Sequence, residues 1–187
     1  MRIKSKVLDK DAIQRAIKRI AHEILEKNED KDTLAVVGIK YRGAFLAERI
    51  AKEIENIAKI KPPQGALDIT LYRDDLTQVA EQPVVHSTEI DFNIDGKDII
   101  LVDDVLFTGR TVRCALDELI DFGRPRKIQL AVLIDRGHRE LPIRPDYIGK
   151  NVPTSLDEVV ELKLVESEGI DEVVICEMRP DLRSEAT

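Results

Sequence analysis

The sequence predicts an α/β fold with a mostly parallel central sheet, and three observations lead there. Strand, loop and helix follow one another twice, first from Thr33 through Ile54 and again from Ile99 through Phe122. A third run, Ile128 to Ile134, is almost continuously apolar, as strands buried on both faces are. The length of 187 residues suits one hydrophobic core, so residues 1–187 are expected to form a single domain.

In order along the chain, Asp9 to Lys27 reads as a helix, because Ala12, Ile13, Ala16, Ile17, Ile20, Ala21, Ile24 and Leu25 recur at helical spacing. Its other side carries Arg15, Lys18, Arg19 and His22, which suits a solvated face as well as a contact surface. Thr33 to Ile39 is a β-branched strand ending in a loop from Gly38 to Gly43, after which helical spacing resumes at Ala44. Leu67 to Tyr72 alternates like a second strand. The polar stretch from Arg73 to Glu89 has no helical pattern, and a long loop acting as a lid over about 73–89 is expected. Asp95-Gly96 marks a turn before the strand Ile99 to Val102, and a helix follows from about Arg110 to Phe122. After Ile134 the chain is basic and punctuated by proline as far as Asn151. Val159 to Val165 and Val173 to Cys176 then read as two closing strands.

Composition excludes several classes. With 29 Lys plus Arg against 36 Asp plus Glu the formal charge is −7, which argues against wholesale coating of nucleic acid while leaving room for a local basic face. Cys114 and Cys176 sit in apolar surroundings without Cys or His at ligand spacing, so neither a disulfide framework nor a structural zinc site is expected. Met1 to Leu8 lacks the apolar core of a signal peptide, and no run approaches the roughly 20 apolar residues that span a bilayer. A cytoplasmic protein without membrane contact is expected.

The most informative segment is Ile99 to Thr111, in which an apolar strand ends in Asp103-Asp104 and a Thr108-Gly109-Arg110-Thr111 turn opens a helix. Backbone N–H groups of such a turn, beside two hydroxyls, can hold a phosphate at the helix N-terminus, and Gly109 permits close approach or positive φ. Carboxylates are acceptors and repel phosphate, but they accept hydrogen bonds from a vicinal diol and stabilise nearby positive charge. Phosphate next to a diol describes a ribose 5-phosphate. Taken singly, Asp103-Asp104 also suits helix capping or a divalent metal, and Thr108 to Thr111 ordinary capping. A Walker phosphate loop does not fit, since its Gly-Lys-Ser/Thr ending is absent.

The segment resembles the thirteen-residue phosphoribosyl pyrophosphate (PRPP) motif of the type I phosphoribosyltransferases. That resemblance implies a Rossmann-like core with a flexible hood loop and Mg²⁺-bound PRPP as donor, the metal arriving with PRPP and held by no protein cluster. It implies Asp103 and Asp104 on the ribose hydroxyls, and Val105, Leu106, Phe107, Thr108, Gly109, Arg110 and Thr111 around the 5-phosphate. Arg110 stands where many members have Lys. Phe107 occupies a position that is often Asp in purine-specific members, and a phenyl ring cannot exchange a proton with a purine imidazole, which favours a pyrimidine acceptor. It is equally compatible with a place in the core.

Other pieces lie beyond the predicted strands. Gly38 to Gly43 places Lys40, Tyr41 and Arg42 where a pyrophosphate loop would be, with Arg42 able to bind oxygens bidentately. Arg73, at the start of the lid, could carry a charge to pyrophosphate on closure, or belong to a salt-bridged turn with Asp74 and Asp75. Leu71 to Leu76, Val102 to Thr111, Asp135 to Pro142 and Gly149 to Ser155, in that order, resemble the PyrR family of bifunctional pyrimidine operon regulators with uracil phosphoribosyltransferase activity. The likeness runs from the first helix to about Pro180. It implies conversion of uracil and PRPP to UMP and pyrophosphate, with Asp103, Asp104 and Arg73 in the catalytic machinery. It also implies a base side at Ile134, Asp135 and Arg136 within a segment of about 135–160, and binding of an operon messenger RNA hairpin under UMP or UTP control. RNA would meet a basic surface of a homodimer or homotetramer, carried here by Arg15, Lys18, Arg19, His22, Arg136, His138, Arg139 and Lys150. Tyr41 stands where many relatives have Thr. Transfer to a purine without RNA regulation, and RNA regulation with vestigial catalysis, are the competing expectations.

Overall fold

A strand can be apolar along its whole length only where both faces are covered, and that condition sets this architecture. The computed structural model describes residues 1–72 and 87–177. Its elements are β1 (Arg2–Leu8), α1 (Lys10–Lys27), β2 (Leu34–Ile39), α2 (Arg42–Ala58), β3 (Gln64–Leu67), β4 (Asp98–Leu106), α3 (Arg110–Asp121), β5 (Lys127–Asp135), β6 (Tyr147–Asn151), β7 (Glu158–Lys163), the single turn α4 (Val165–Glu168) and β8 (Glu172–Glu177). A five-stranded parallel sheet has the order β3-β2-β4-β5-β6, and a separate antiparallel sheet has the order β1-β8-β7.

Alternation along the strands assigns residues to two cores. Leu34 and Val36 of β2, Ile100 and Val102 of β4 and Leu133 of β5 face α1 and α2, together with Val160 and Leu162 of β7 and Val173 of β8. Ala35, Val37 and Ile39, with Ile99, Leu101 and Val132, face α3 through Val112, Ala115 and Leu119. α1 begins at Lys10, one residue later than the sequence reading, and Asp9 caps it, its Oδ1 accepting from the Ala12 backbone N–H at 2.8 Å.

Several boundaries differ from the sequence reading. The second parallel strand is Gln64–Leu67, and the alternating stretch after it is a 3-10 turn, Ile69–Tyr72, that follows the buried Asp68. The strand before the acidic pair does not stop there: β4 runs on through Asp103 and Asp104 to Leu106, because β5 continues alongside and supplies ladder partners as far as Asp135. The two closing strands leave the main sheet and pair with each other, and β8 pairs on its other edge with β1, which had no counterpart in the sequence reading. β6 was also hidden inside a polar, proline-containing stretch. It is held by Tyr147, fully buried, whose hydroxyl accepts from Asn28 Nδ2 at the end of α1 and from Gln129 Nε2 of β5. Among the described residues no helix is long and apolar enough to cross a membrane.

The turn from β2 into α2 is one of the tight points of the main sheet. A Cβ at Gly38 would lie 2.4 Å from the Cα of Ala44 and from the carbonyl oxygen of Gly43, both of them backbone atoms that cannot swing away. Gly38→Ala is therefore expected to lower stability by about 1–3 kcal/mol, as overpacking does. That corresponds to a fall in thermal midpoint of roughly 2–4 °C per kcal/mol, measurable by calorimetry or circular dichroism.

Candidate active site

The chain turns to β3 on one side of β2 and to β4 on the other, so the strand order reverses between β2 and β4. Ligands of open α/β sheets bind at such a reversal, beyond the carboxyl ends of the strands. A cleft of about 520 Å³ opens there. β2 delivers Lys40, Tyr41 and Arg42 to it, β3 delivers Asp68 and Thr70, β4 delivers Asp103, Asp104 and Val105, and α3 delivers Thr111. Ser167 and Glu168 of α4 close its far wall.

The acidic pair is built into the strand end. Asp103 is buried and its Oδ1 accepts from the Asp104 N–H at 2.9 Å, while Asp104, half-buried, accepts from the Val105 N–H at 2.8 Å. Burial, and then the neighbouring Asp104 charge, push the Asp103 carboxyl well above its ordinary range. Behind the pair, Gly109 sits at the N-cap of α3 with φ of 95° and offers no side chain, so the first turn, whose Arg110 N–H donates to Thr108 Oγ1 at 3.4 Å, lacks a capping side chain at that position. A Cβ there would meet Ile143 at 3.3 Å.

The phosphate turn is braced by the base-side loop. Arg139 Nη1 donates to the Phe107 carbonyl at 2.7 Å, and the N–H groups of Glu140 and Leu141 donate to the Thr108 carbonyl at 3.0 and 3.2 Å. Arg110 pairs with Glu140 at 2.6 Å. Phe107 is half-buried and not a core residue: the Arg136 guanidinium lies 4.0 Å from its ring centroid, and the His138 ring meets it edge-on at 5.8 Å. These groups make a shelf at the end of β5.

The two cations that line the cleft carry carboxylates. Lys40 Nζ lies 2.7 Å from Glu89 Oε1 and also donates to the Ser87 carbonyl at 2.6 Å. Arg42 Nη2 lies 2.8 Å from Glu168 Oε1. Burial of Glu168 opposes its ionisation, but the Leu164 N–H, the Ser167 hydroxyl and Arg42 outweigh it and hold the carboxyl at about 2.

Residues 4–164 match the phosphoribosyl transferase domain family. The chain is 58% identical over 180 residues to the bifunctional protein PyrR of Acetivibrio thermocellus, covering 96% of this chain and 98% of that one. It is 60% identical over 176 residues to the bifunctional protein PyrR of Pelotomaculum thermopropionicum, covering 94% and 97%. The chain belongs to the PyrR family of phosphoribosyltransferases. Among solved structures, a hypoxanthine-guanine phosphoribosyltransferase from Bacillus anthracis superposes with a TM-score of 0.71 at 19% identity, covering 93% of this chain and 99% of that one. That likeness establishes a shared fold.

Within this PyrR fold the expected site residues fall into three groups. Asp103, Asp104, Val105, Lys40, Tyr41, Arg42 and Thr111 line one cleft, and Phe107 to Arg110 form the turn behind it. Leu106 and Ile134 are fully buried in the two cores, so they support the site without facing a ligand. Arg73, the lid residues 73–86 and the end of the chain from 178 lie outside the described residues.

The basic surface needs correction. Arg15, Lys18, Arg19 and His22 are exposed on α1, and Arg19 donates to the carbonyls of Ile148 and Gly149, which docks α1 against β6 and brings exposed Lys150 onto the same side. Exposed His138 contacts the Thr154 carbonyl at 2.6 Å. Arg136 and Arg139 do not share that surface. Arg136 is buried under Phe107, donating to Thr154 Oγ1 and the Ser155 carbonyl. Arg139 is consumed by Asp135 and by backbone carbonyls, including those of Phe107 and Ile143.

Asp68, Thr70, Ser167 and Glu168 were not foreseen. The first two follow β3 directly, and the sequence signal for them was obscured by reading Leu67 to Tyr72 as strand. Ser167 and Glu168 carry no motif.

The raised proton affinity of Asp103 has a measurable consequence. The folded state holds that proton more tightly than the unfolded chain, so wild-type stability falls as pH rises from about 4 towards the raised folded value. Asp103→Asn removes the penalty, by about 1.4 kcal/mol for each tenfold by which folding tightens the proton. The variant is expected to melt higher than wild type near pH 7 and to converge with it near pH 3, in thermal melts across that range.

Proposed function

We propose that the cleft transfers the 5-phosphoribosyl group of PRPP to uracil, giving UMP and pyrophosphate, and that the same chain binds a pyrimidine operon messenger RNA hairpin under the control of UMP or UTP. The observation that carries the catalytic half is the closeness, at one strand reversal, of diol acceptors and phosphate donors: Asp103-Asp104 on the end of β4 and the open Gly109 turn leading into α3. Membership of the PyrR family supports both halves.

In the reaction, uracil N1 attacks the anomeric carbon as the bond to pyrophosphate breaks, with inversion, and the N1 proton passes to water. Positive charge builds on the sugar ring. Asp104 at the cleft, and Asp103 beneath it, stabilise that charge through the ribose hydroxyls, and no side-chain nucleophile is needed. Lys40, Arg42 and Arg73 are the groups assigned to the departing pyrophosphate. Thr108, Gly109 and Thr111, with the first N–H groups of α3, hold the 5-phosphate. Phe107, flanked by Arg136 and His138, provides a flat, proton-inert surface that suits a pyrimidine.

Phosphoribosyltransferases generally use Mg²⁺ with PRPP. Among the described residues no three His, Cys, Asp or Glu side chains are placed to hold a metal by themselves. The cleft, with Asp103 and Asp104 on one wall and Lys40 and Arg42 on the other, fits a cation that arrives on PRPP oxygens, where it would offset charge on the leaving group. The RNA half is assigned to the exposed cations Arg15, Lys18, Arg19, His22 and Lys150 with His138 at the margin. A homodimer or homotetramer would present two such faces together, and the protein would act in the cytoplasm.

Asp104→Asn is expected to lower turnover at least tenfold with an unchanged fold; wild-type rates under saturating PRPP would remove the assignment. Radiolabelled uracil should yield nucleotide where hypoxanthine and guanine do not, and purine product would transfer the reading to that class. On the RNA side, Lys18→Glu should weaken a UMP-dependent gel shift of an operon leader while leaving UMP synthesis intact. The remaining affinity should also depend less steeply on salt, since each lost phosphate contact lowers the logarithmic slope by about 0.7–0.9.

A further inference from the structure

Arg42 of the proposed pyrophosphate loop is held from the small antiparallel sheet unit. Its Nη2 and Nε donate to a single oxygen of Glu168, at 2.8 and 3.3 Å. The other oxygen of Glu168 is tied down on its own turn, accepting from the Leu164 N–H at 2.9 Å and from the Ser167 hydroxyl. The carboxylate is thus presented at the cleft on a fixed stalk, and Ser167 and Glu168 line the same cleft as Arg42, Asp103 and Asp104. The stalk is itself anchored: Arg49 of α2 pairs with Asp171 at 2.8 Å and donates from Nε to Glu166 at 2.8 Å, fixing the turn that carries Glu168 against the helix that begins at Arg42.

A carboxylate and a phosphate oxygen make the same demand on a guanidinium, namely an anionic acceptor in its plane. Both cannot sit on one edge of Arg42, because two anions brought together without the intervening cation repel. We propose that Glu168 is a positioning residue which occupies a pyrophosphate oxygen's place on Arg42 in the unloaded protein, so that pyrophosphate, free or as part of PRPP, binds by displacing it. Glu168 is an internal competitor: it keeps the guanidinium extended at the cleft mouth, opposes tight retention of the product pyrophosphate, and links donor binding to release of α4 from the loop. The same arrangement recurs at Lys40, where Glu89 stands on the ammonium from the other side of the cleft. This proposal rests on the reading of Lys40 to Arg42 as the pyrophosphate loop.

The test is a double-mutant cycle read by calorimetric titration of the full chain with inorganic pyrophosphate in the presence of Mg²⁺, with PRPP kinetics alongside. Glu168→Gln should tighten pyrophosphate binding by about two- to fivefold, the scale of a partly exposed charge pair, and lower the KM for PRPP while leaving kcat unchanged or reduced. Arg42→Ala should weaken binding, and in that background Glu168→Gln should have no effect. Should Glu168→Gln fail to fold, Glu168→Ala serves in its place, and circular dichroism confirms the state of each variant. If Arg42→Ala weakens binding but removal of the carboxylate leaves it unchanged or weaker, the competitor role is overturned. If Arg42→Ala itself has no effect on pyrophosphate, the assignment of the loop fails and takes this proposal with it. An equal gain from Glu168→Gln with and without Arg42 would identify a general field effect and would also overturn it.

Discussion

The structure is organised around the difficulty of placing two acids at the end of a strand that is covered on both faces and paired on both edges. β4 lies between β2 and β5, with α1 and α2 on one side and α3 on the other, so its residues as far as Val102 are without solvent. At its start the buried Asp98 is tolerated through its pairing with Arg126 and Lys127; at the other end charge sits where the covering elements part, and they part where the strand order reverses. Asp103 lies just inside that boundary and Asp104 just outside it. The protein accepts an unfavourable carboxylate in return for a hydrogen-bond acceptor held still by its own backbone. A group so held needs no reorganisation when the sugar becomes cationic, which is the condition for effective electrostatic stabilisation.

An acidic chain that must bind anions needs local inversion of its overall field. Here the inversion is made by backbone N–H groups at the Gly109 turn and by a few cations, each of which has a carboxylate nearby: Lys40 with Glu89, Arg42 with Glu168, Arg110 with Glu140. Such pairs keep long cationic side chains in defined positions without a ligand. The same economy appears in the bracing of the phosphate turn, where Arg139 spends its donors on main-chain carbonyls and on Asp135.

Much of this was legible in the sequence, for identifiable reasons. β2, β4 and β5 are read easily because burial on both faces leaves them almost wholly apolar, and α1 because its apolar stripe is long and capped by Asp9. The strand, the Gly109 turn and the start of α3 are legible because an apolar run, a glycine and a resumed helical spacing follow one another there. β6 escaped notice because its burial rests on one residue, Tyr147, among polar neighbours, and β1 because it is largely exposed and gains its order from β8. The split of the basic residues into surface cations and internal braces could not be read either. Arg136 and Arg139 differ from Arg15 and Arg19 only in what the fold places around them, and a guanidinium serves buried hydrogen bonding as readily as it serves a phosphate.

The antiparallel sheet joins the beginning of the chain to its later part: Arg2 lies opposite Glu177, and Leu8 opposite Val173. During synthesis the first seven residues therefore emerge long before their partner exists, whereas the central sheet from β2 to β6 can assemble in the order in which it is made. Non-local pairing of this kind is the slow element of folding. Since α4 lies between β7 and β8, the last wall of the cleft is set in place together with that pairing. A nascent chain interrupted before β8 would thus carry a largely assembled sheet and an unfinished pocket, so the cleft is complete only once β8 has been made.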